Sequence, residues 1–510
     1  MKLYNTASRS IEELQTIEEN LVKLYACGPT VYDYTHLGHL RKYVLDDLLI
    51  RVLRHAGYEV KHVQNITDVG HLVSDDDVGE DKLEKGAKKF GASAEAVARR
   101  FEDYFFYSMD LLGVLRPSLS CRATDHIQAQ LEMVLALEKK GLTYVIDNDG
   151  VYFDTSKIDD YGKLINKDPV LAKQILTAQR EGQRVEKVPG RKHPTDFALW
   201  KFEKAGENRQ MVWPSPWHER SFPGWHIECS AMALEHLGEQ IDIHTGGKEH
   251  INIHHTNEIA QSEATTGKKP FSRYWVHHNH LFVDGQKMSK SLNNFYTIDD
   301  LIEKGFSPKA LRLLFLMSHY RSEQNFTWDS LSAAQKAYLK LARFVLNLRA
   351  SERNKELELS DFPAALQLHR DFFAALENDL KSNEALTVVW ELLNSAFDAD
   401  ILYRLIMEFD QVLGLGLAAL NEENFLETVE TSLAKEIIDQ DFAHSLGLKR
   451  EVLALADLPN SIQELIKQRQ IARRAQNFAQ ADELREQLKN QGYEILDAEN
   501  EELLIRKIKH

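Results

Sequence analysis

At 510 residues, 43% of them apolar, the chain is long enough for several domains with more than one core. Its 62 Lys and Arg against 78 Asp and Glu leave a net charge of −16, which excludes a generally basic surface, so any RNA contact must use local patches. Three cysteines, Cys27, Cys121 and Cys229, cannot make a disulfide framework, no leader pattern is visible, and runs such as Val412 to Leu420 are too short to cross a bilayer, so a soluble cytoplasmic protein is expected, with no membrane partner.

The apolar run Val22 to Cys27 reads as a buried strand, and Gly28-Pro29-Thr30 turns the chain. A helical period then runs through Leu40, Val44, Leu48, Val52 and Leu53 to Gly57. A strand, a loop and a helix start make an anion site, because the first N–H groups of a helix are unpaired and carry partial positive charge. His36 and His39 share one face there, and Gly38 lets a nucleotide come close. Two histidines near a helix start are, by themselves, more often ordinary surface residues. Further on, the acidic run Gly70 to Asp81 lacks the alternating ligand spacing of a calcium loop and reads as a solvated segment.

Asp242-Ile243-His244-Thr245-Gly246-Gly247 reads as a strand running into a glycine pair. In an open α/β sheet ligands gather at the carboxyl ends of strands, so Gly246 and Gly247 are candidates for the place where adenosine rests. Beyond them His254 and Glu258 lie four apart in a helical period, on one face. Cys27 and Cys229 would complete a tetrahedral zinc set of two sulfurs, an imidazole and a carboxylate. Spacing does not select that set, since 202 residues separate the two cysteines and His226, His244, His250 and His255 are rival ligands. Cys121 fits no ligand position and reads as structural.

Asp284-Gly285-Gln286 is a turn signal ahead of Lys287-Met288-Ser289-Lys290-Ser291, and a helical pattern resumes at Asp299. Lys287 and Lys290 could neutralise charge on a leaving pyrophosphate, although a solvated basic loop has the same composition. The two strings, His36 to His39 and Lys287 to Ser291, point together to a carboxylate-activating enzyme that works by adenylation. From about residue 301 the chain reads as helical. After Leu458-Pro459-Asn460, Ile462 to Asn490 is one charged helical stretch. Lys467, Arg469, Arg473, Arg474, Arg485 and Lys489 are its candidate phosphate contacts, with a solvated helix face as the equal alternative.

Taken together these strings resemble a class I aminoacyl-tRNA synthetase, with His36 to His39 in the place of the HIGH motif and Lys287 to Ser291 in that of the KMSKS loop. The resemblance narrows to the cysteinyl-tRNA synthetase family through Tyr25 to Asp33, Asn65 to Asp68, Asp196 to Lys201, Pro223 to Met232 and His254 to Gln261, and it covers essentially the whole chain. It implies an α/β fold: a doubly wound, Rossmann-like parallel-sheet core in two halves (1–125 and 206–300) around a connective insertion (126–205). A stem-contact helical region (301–345), a helical bundle (346–440) and a small tRNA-binding domain (441–510) would follow.

The resemblance also implies site roles. One zinc ion per chain would sit on Cys27, Cys229, His254 and Glu258, and Thr67 and Trp225 would line the amino-acid pocket. His36, His39, Lys287 and Lys290 would be catalytic, with Gly38, Gly246, Gly247 and Lys290 against ATP, which enters with magnesium. The partners would be L-cysteine, ATP and the tRNA for cysteine, with a monomer as the default state. Zinc would answer a selection problem: apolar pockets separate near-isosteres by about 1–3 kcal/mol, whereas a fidelity of about 10⁴ needs about 5.5 kcal/mol at 1.36 per decade. Thiolate bonding can supply the difference and makes an editing domain unnecessary.

Two rival functions share these features. One is a ligase that adenylates cysteine and gives it to a small-molecule amine, and the other a non-catalytic zinc and RNA-binding descendant. Thr256, where an acidic residue is common, and Lys248-Glu249-His250, in place of a more usual Ser-Asp-Leu, depart from the family pattern around the metal.

Overall fold

Five parallel strands carry the first part of the chain in the computed structural model: β1 Leu21–Ala26, β2 Glu59–Ile66, β3 Leu119–Arg122, β4 Ile241–Gly247 and β5 Ser272–His278. Their order across the sheet is β5-β4-β1-β2-β3. The structure describes residues 1–70, 82–182, 188–288, 292, 294–351, 357–448, 455, 458–475, 477–497 and 503–507. These divide into two units, Met1–Ile437 and Ile438–His510.

All seven residues of β4 are buried, as expected for a strand covered on both faces. Three helices matter for the site: α1 Leu37–His55, α2 Trp225–Leu237 and α3 His254–Thr266. The period that predicts α1 is its buried face, Leu40, Val44, Leu48 and Val52. β1 and β4 are neighbours, with Leu24 opposite Ile243, although the chain between them includes β2, β3 and the insertion. The strand order therefore reverses between β1 and β4, the switch point at which open α/β sheets bind ligands.

The insertion carries a four-stranded antiparallel sheet, Thr143–Ile146, Gly150–Phe153, Phe197–Phe202 and Ser221–Pro223. Its last strand lies beyond the sequence boundary at 205 and leads straight into α2. After β5 comes a small sheet of Leu281–Val283, Gln286–Lys287 and Gln324–Phe326. Its hairpin turns at Asp284 and Gly285, both at positive φ, as a tight two-residue hairpin requires. Helices Trp328–Ala350, Pro363–Glu377, Ser382–Leu393, Ala399–Leu413 and Glu422–Ala434 complete the unit. They are tied to α1 by the fully buried Arg312, which meets Asp47 at 2.5 Å and donates to the Leu413 carbonyl at 2.6 Å.

The second unit has helices Asn460–Arg474 and Phe478–Asn490 and an antiparallel pair, Tyr493–Asp497 with Leu503–Lys507. Leu458, Ile462, Ile466, Leu488, Ile495 and Ile505 form its core. The single helical stretch expected over 462–490 is thus two helices, the second capped by Asn477, whose side chain accepts from Gln480 N–H. Arg469 is 4% exposed, which removes it from the phosphate-contact set: it stands seven residues after Ile462 and three after Ile466, on the apolar face. Lys467, Arg473, Arg485 and Lys489 are exposed, and the Arg474 side chain lies outside what is described. Among the described residues no helix is long and apolar enough to cross a membrane.

Candidate active site

The carboxyl ends of β1 and β4 open into a cleft of about 230 Å³, lined among others by Cys27, Gly38, His39, Thr67, Trp225, Cys229, Gly247 and His254. α1, α2 and α3 all begin here. Residues from distant parts of the sequence are therefore delivered by the first turns of three helices, where backbone N–H groups are free for anions.

His36 is the N-cap of α1, and its Nδ1 accepts from the N–H groups of Gly38 (3.1 Å) and His39 (3.4 Å). Accepting at Nδ1 leaves the proton of the neutral ring on Nε2. Burial, with His39 adding to it, pushes the His36 pKa down to about 2. The two rings stack at 3.6 Å, and the cleft walls lower His39 to about 4. At neutral pH the half-buried His36 is thus an uncharged donor through Nε2, not the cation that phosphate binding would first suggest. A Cβ on Gly38 would come within 3.0 Å of the His36 ring and 4.0 Å of Met288 Cε, so the two motifs meet. Leu37 N–H donates to the Tyr296 carbonyl at 2.9 Å, and Phe295 stands edge-on to His36 at 5.0 Å. Lys287 is exposed in the hairpin strand. Lys290, like the acidic run through Asp81 apart from Gly70, lies outside the described residues.

Four ligand atoms, one each from Cys27, Cys229, His254 and Glu258, lie within 4.8 Å of one another, and all four residues are buried. Burial pushes the Cys27 thiol up, and its hydrogen bond with Cys27 together with burial raises Cys229 further. Burial opposes charge on Glu258, but His244 and His254 outweigh it and hold the carboxylate below its ordinary range. Burial likewise opposes charge on His254, yet Glu258 and Cys229 raise it to about 10. Without a cation the cluster thus holds protonated thiols and an imidazolium–carboxylate pair at 3.0 Å, and a metal would displace protons. Glu258 Oε1 has no aligned hydrogen-bond donor among the described residues. A buried acceptor of that kind, with two sulfurs and an imidazole beside it, fits a zinc-type ion.

The rival histidines separate by position. His244 and His255 form a second group with Cys27 and Glu258 within the same 4.8 Å, but neither lines the cleft. His244 Nε2 lies 2.9 Å from Glu258 Oε2, His255 Nε2 3.3 Å from Cys27 Sγ, and His226 Nδ1 3.0 Å from His254 Nδ1. Each is placed to orient a ligand. His250 lines the cleft but belongs to neither group. Gly246 lies against these rings, where a Cβ would approach His255 Cε1 to 2.4 Å, whereas Gly247 faces the cleft. Cys121 is buried in the core with Val63 and Met232.

Thr67 donates to Glu228 Oε2 at 3.2 Å and accepts from Asn65 Nδ2 at 3.0 Å, which leaves one lone pair for a ligand. The Trp225 ring packs on His254 at 4.6 Å. Sequence reasoning missed Lys42, which lines the cleft, donates to the Cys27 carbonyl at 2.5 Å and pairs with Asp46 at 2.6 Å. Its place three residues after His39 on one helix face was the available signal. Arg41 was also missed; it is buried and binds Gln324 Oε1 at 2.9 Å and the Asn279 carbonyl at 2.6 Å, joining α1 to the lysine hairpin sheet.

This sheet order, with the cleft at its switch point and the two motifs across it, defines a catalytic core of the class I aminoacyl-tRNA synthetase type. The family model for the tRNA synthetases class I (C) catalytic domain matches residues 13–336, and that for the cysteinyl-tRNA ligase anticodon binding domain matches residues 455–501. The chain belongs to the cysteinyl-tRNA ligase family. It is 42% identical to cysteine–tRNA ligase 1 of Burkholderia lata over 98% of this chain and 95% of that one. It is 38% identical to the Treponema denticola cysteine–tRNA ligase over 98% of each. The fold is also similar to Mycobacterium tuberculosis methionyl-tRNA synthetase bound by methionyl-adenylate, with a TM-score of 0.51 at 15% identity over 86% of this chain and 96% of that one.

Proposed function

We propose that this chain activates L-cysteine with ATP and transfers the cysteinyl group to the 3′ end of its tRNA, using one zinc ion per chain to recognise the substrate thiol. The observation that carries the reading is the meeting in one cleft of Cys27, Cys229 and His254, with Glu258 grouped behind them, and the first turn of α1. In the first step the cysteine carboxylate attacks the α-phosphorus of ATP and magnesium pyrophosphate leaves; in the second a ribose hydroxyl of the tRNA attacks the adenylate carbonyl and AMP leaves.

Cys27, Cys229, His254 and Glu258 would hold the ion. When bound it would supply a soft Lewis-acid partner for the thiolate, which a serine hydroxyl matches poorly. Cys27, Cys229 and His254 line the cleft, which favours this set over the one with His244 and His255. Thr67 and Trp225 would position the amino acid. His36 and His39 would donate N–H groups to phosphate oxygens, Gly38 and Gly247 would let the nucleotide approach, and Gly246 would act by leaving room for His255. Lys287 and Lys290 would offset charge on the departing pyrophosphate.

Exposed Lys467, Arg473, Arg485 and Lys489 would meet tRNA phosphates through the second unit. The enzyme would act as a cytoplasmic monomer. Incubating the purified full chain with total tRNA and each amino acid in turn tests the reading. Charging with cysteine alone, accompanied by cysteine-dependent exchange of pyrophosphate into ATP, is expected. Exchange without charging would instead indicate a small-molecule acceptor, and neither activity a non-catalytic protein.

A further inference from the structure

We propose that His126, Glu235 and His236 form a second site for a divalent transition-metal ion, at the far end of α2 from the active-site cluster. Ligand atoms of the three residues lie within 4.8 Å of one another, and the two Nε2 atoms face each other at 2.7 Å.

The local geometry prepares one ring for a metal. His126 closes the 3-10 turn Ala123–His126 that follows β3, and its Nδ1 lies 2.6 Å from the Arg122 carbonyl. A carbonyl only accepts, so Nδ1 carries the proton and the neutral ring presents its Nε2 lone pair towards His236. Metal-bound histidines are oriented in the same way, with the second ring nitrogen donating to a backbone carbonyl. His236 stands in the last turn of α2, where the helix dipole favours a cation. Lys61 fixes that turn by donating to the His236 carbonyl at 2.7 Å.

The donor set decides the class of ion. Two imidazoles and a carboxylate suit zinc, nickel, cobalt or copper(II), and do not suit magnesium or calcium, which take oxygen ligands. At metal–nitrogen bonds of about 2.0–2.1 Å, adjacent ligand nitrogens stand about 2.9–3.4 Å apart, so the rings need to open by only a few tenths of an ångström. Both rings are half-buried and Glu235 is exposed, which leaves open positions towards solvent. Cys229 and His236 are separated by two turns of α2, roughly 10 Å along the axis, so the sites are distinct. An ion here would tie the end of the helix that carries Cys229 to the turn after β3.

The competing description is an ordinary hydrogen bond from His236 Nε2–H to His126 Nε2. Titration of nickel(II) into the zinc-loaded full chain, followed by calorimetry, separates the two. One saturable site is expected, weakened about 100-fold in His236→Asn and about 10-fold in Glu235→Gln, with the bound zinc retained in both variants. Copper(II) bound to the same preparation is expected to show hyperfine coupling to two imidazole nitrogens, reduced to one in His236→Asn. Glu235 is a surface residue, so its variant is readable even if a histidine variant misfolds. No nickel binding by the parent chain, or binding unaffected in both His236→Asn and Glu235→Gln, would overturn the proposal and leave the pair as a hydrogen bond.

Discussion

His244 Nε2 lies 2.9 Å from Glu258 Oε2, so the strand ending in Gly246 and Gly247 also positions the carboxylate that closes the thiol cluster. An outer contact of this kind fixes a ligand without touching the ion. His244→Ala is expected to weaken zinc binding about 10- to 100-fold while leaving ATP affinity nearly unchanged, measured by chelator competition and by nucleotide titration. Unaltered zinc affinity would remove His244 from the metal's support.

The four proposed ligands predict a different pattern. Cys229→Ser should lose most of the bound zinc and raise the KM for cysteine far more than that for ATP, because in the proposed site only the amino acid would meet the ion. Chelation of the parent enzyme should abolish cysteine-dependent pyrophosphate exchange, and added zinc should restore it. Full zinc content with unchanged cysteine affinity in the variant would refute the assignment.

If the lysines act on charge that develops during the reaction, their loss is a rate effect. Lys290→Ala should slow adenylate formation by about 10² or more with cysteine affinity preserved. Single-turnover kinetics would show the contrary case as weaker ATP binding at an unaltered rate.

The Asp47–Arg312 pair is fully buried, and Asp47 also accepts from Leu115 N–H at 2.9 Å and from Arg51 at 2.7 Å. Removing Arg312 breaks the buried pair and leaves the Leu413 carbonyl without its donor, while Arg51 still partners Asp47. Arg312→Leu should destabilise the first unit by about 3–5 kcal/mol, read from urea denaturation. A loss below about 1 kcal/mol would mean that packing and the Arg51 contact with the Gln411 carbonyl hold the bundle to α1 without Arg312.

Asp68 follows the pocket residue Thr67, and burial raises its pKa to about 6 despite hydrogen bonds from Thr124 N–H (2.9 Å) and Oγ1 (2.6 Å). A folded pKa above the unfolded value near 4 means that the native state holds the proton more tightly. This contribution is therefore present below about pH 4 and lost as pH rises through about 6. Asp68→Asn should remove that part of the stability decline between pH 4 and 7, up to about 3 kcal/mol at 1.36 per unit. Parallel pH–stability curves for the two proteins would contradict it.

Much of the site was legible because it is written in local patterns. The spacing of His36 and His39 at a helix start, the turn at Asp284 and Gly285, and the i,i+4 pair His254 and Glu258 each follow from backbone geometry within a few residues. The Rossmann-like core and the family were readable for the same reason, since they rest on short strings in a fixed order.

What remained depended on which distant segments become neighbours. Nothing in the spacing distinguishes His254 from His244 or His255 as a partner for Cys27; folding brings all three near it and sets His254 alone of them on the cleft wall. Arg469 reads as a surface cation until its helix is packed, because an amphipathic period does not say that a charged residue falls on the inner face. Lys42 and the meeting of Gly38 with Met288 are likewise consequences of packing. Local sequence determines the conformation of each segment, whereas partners hundreds of residues apart are chosen only when buried surfaces come together.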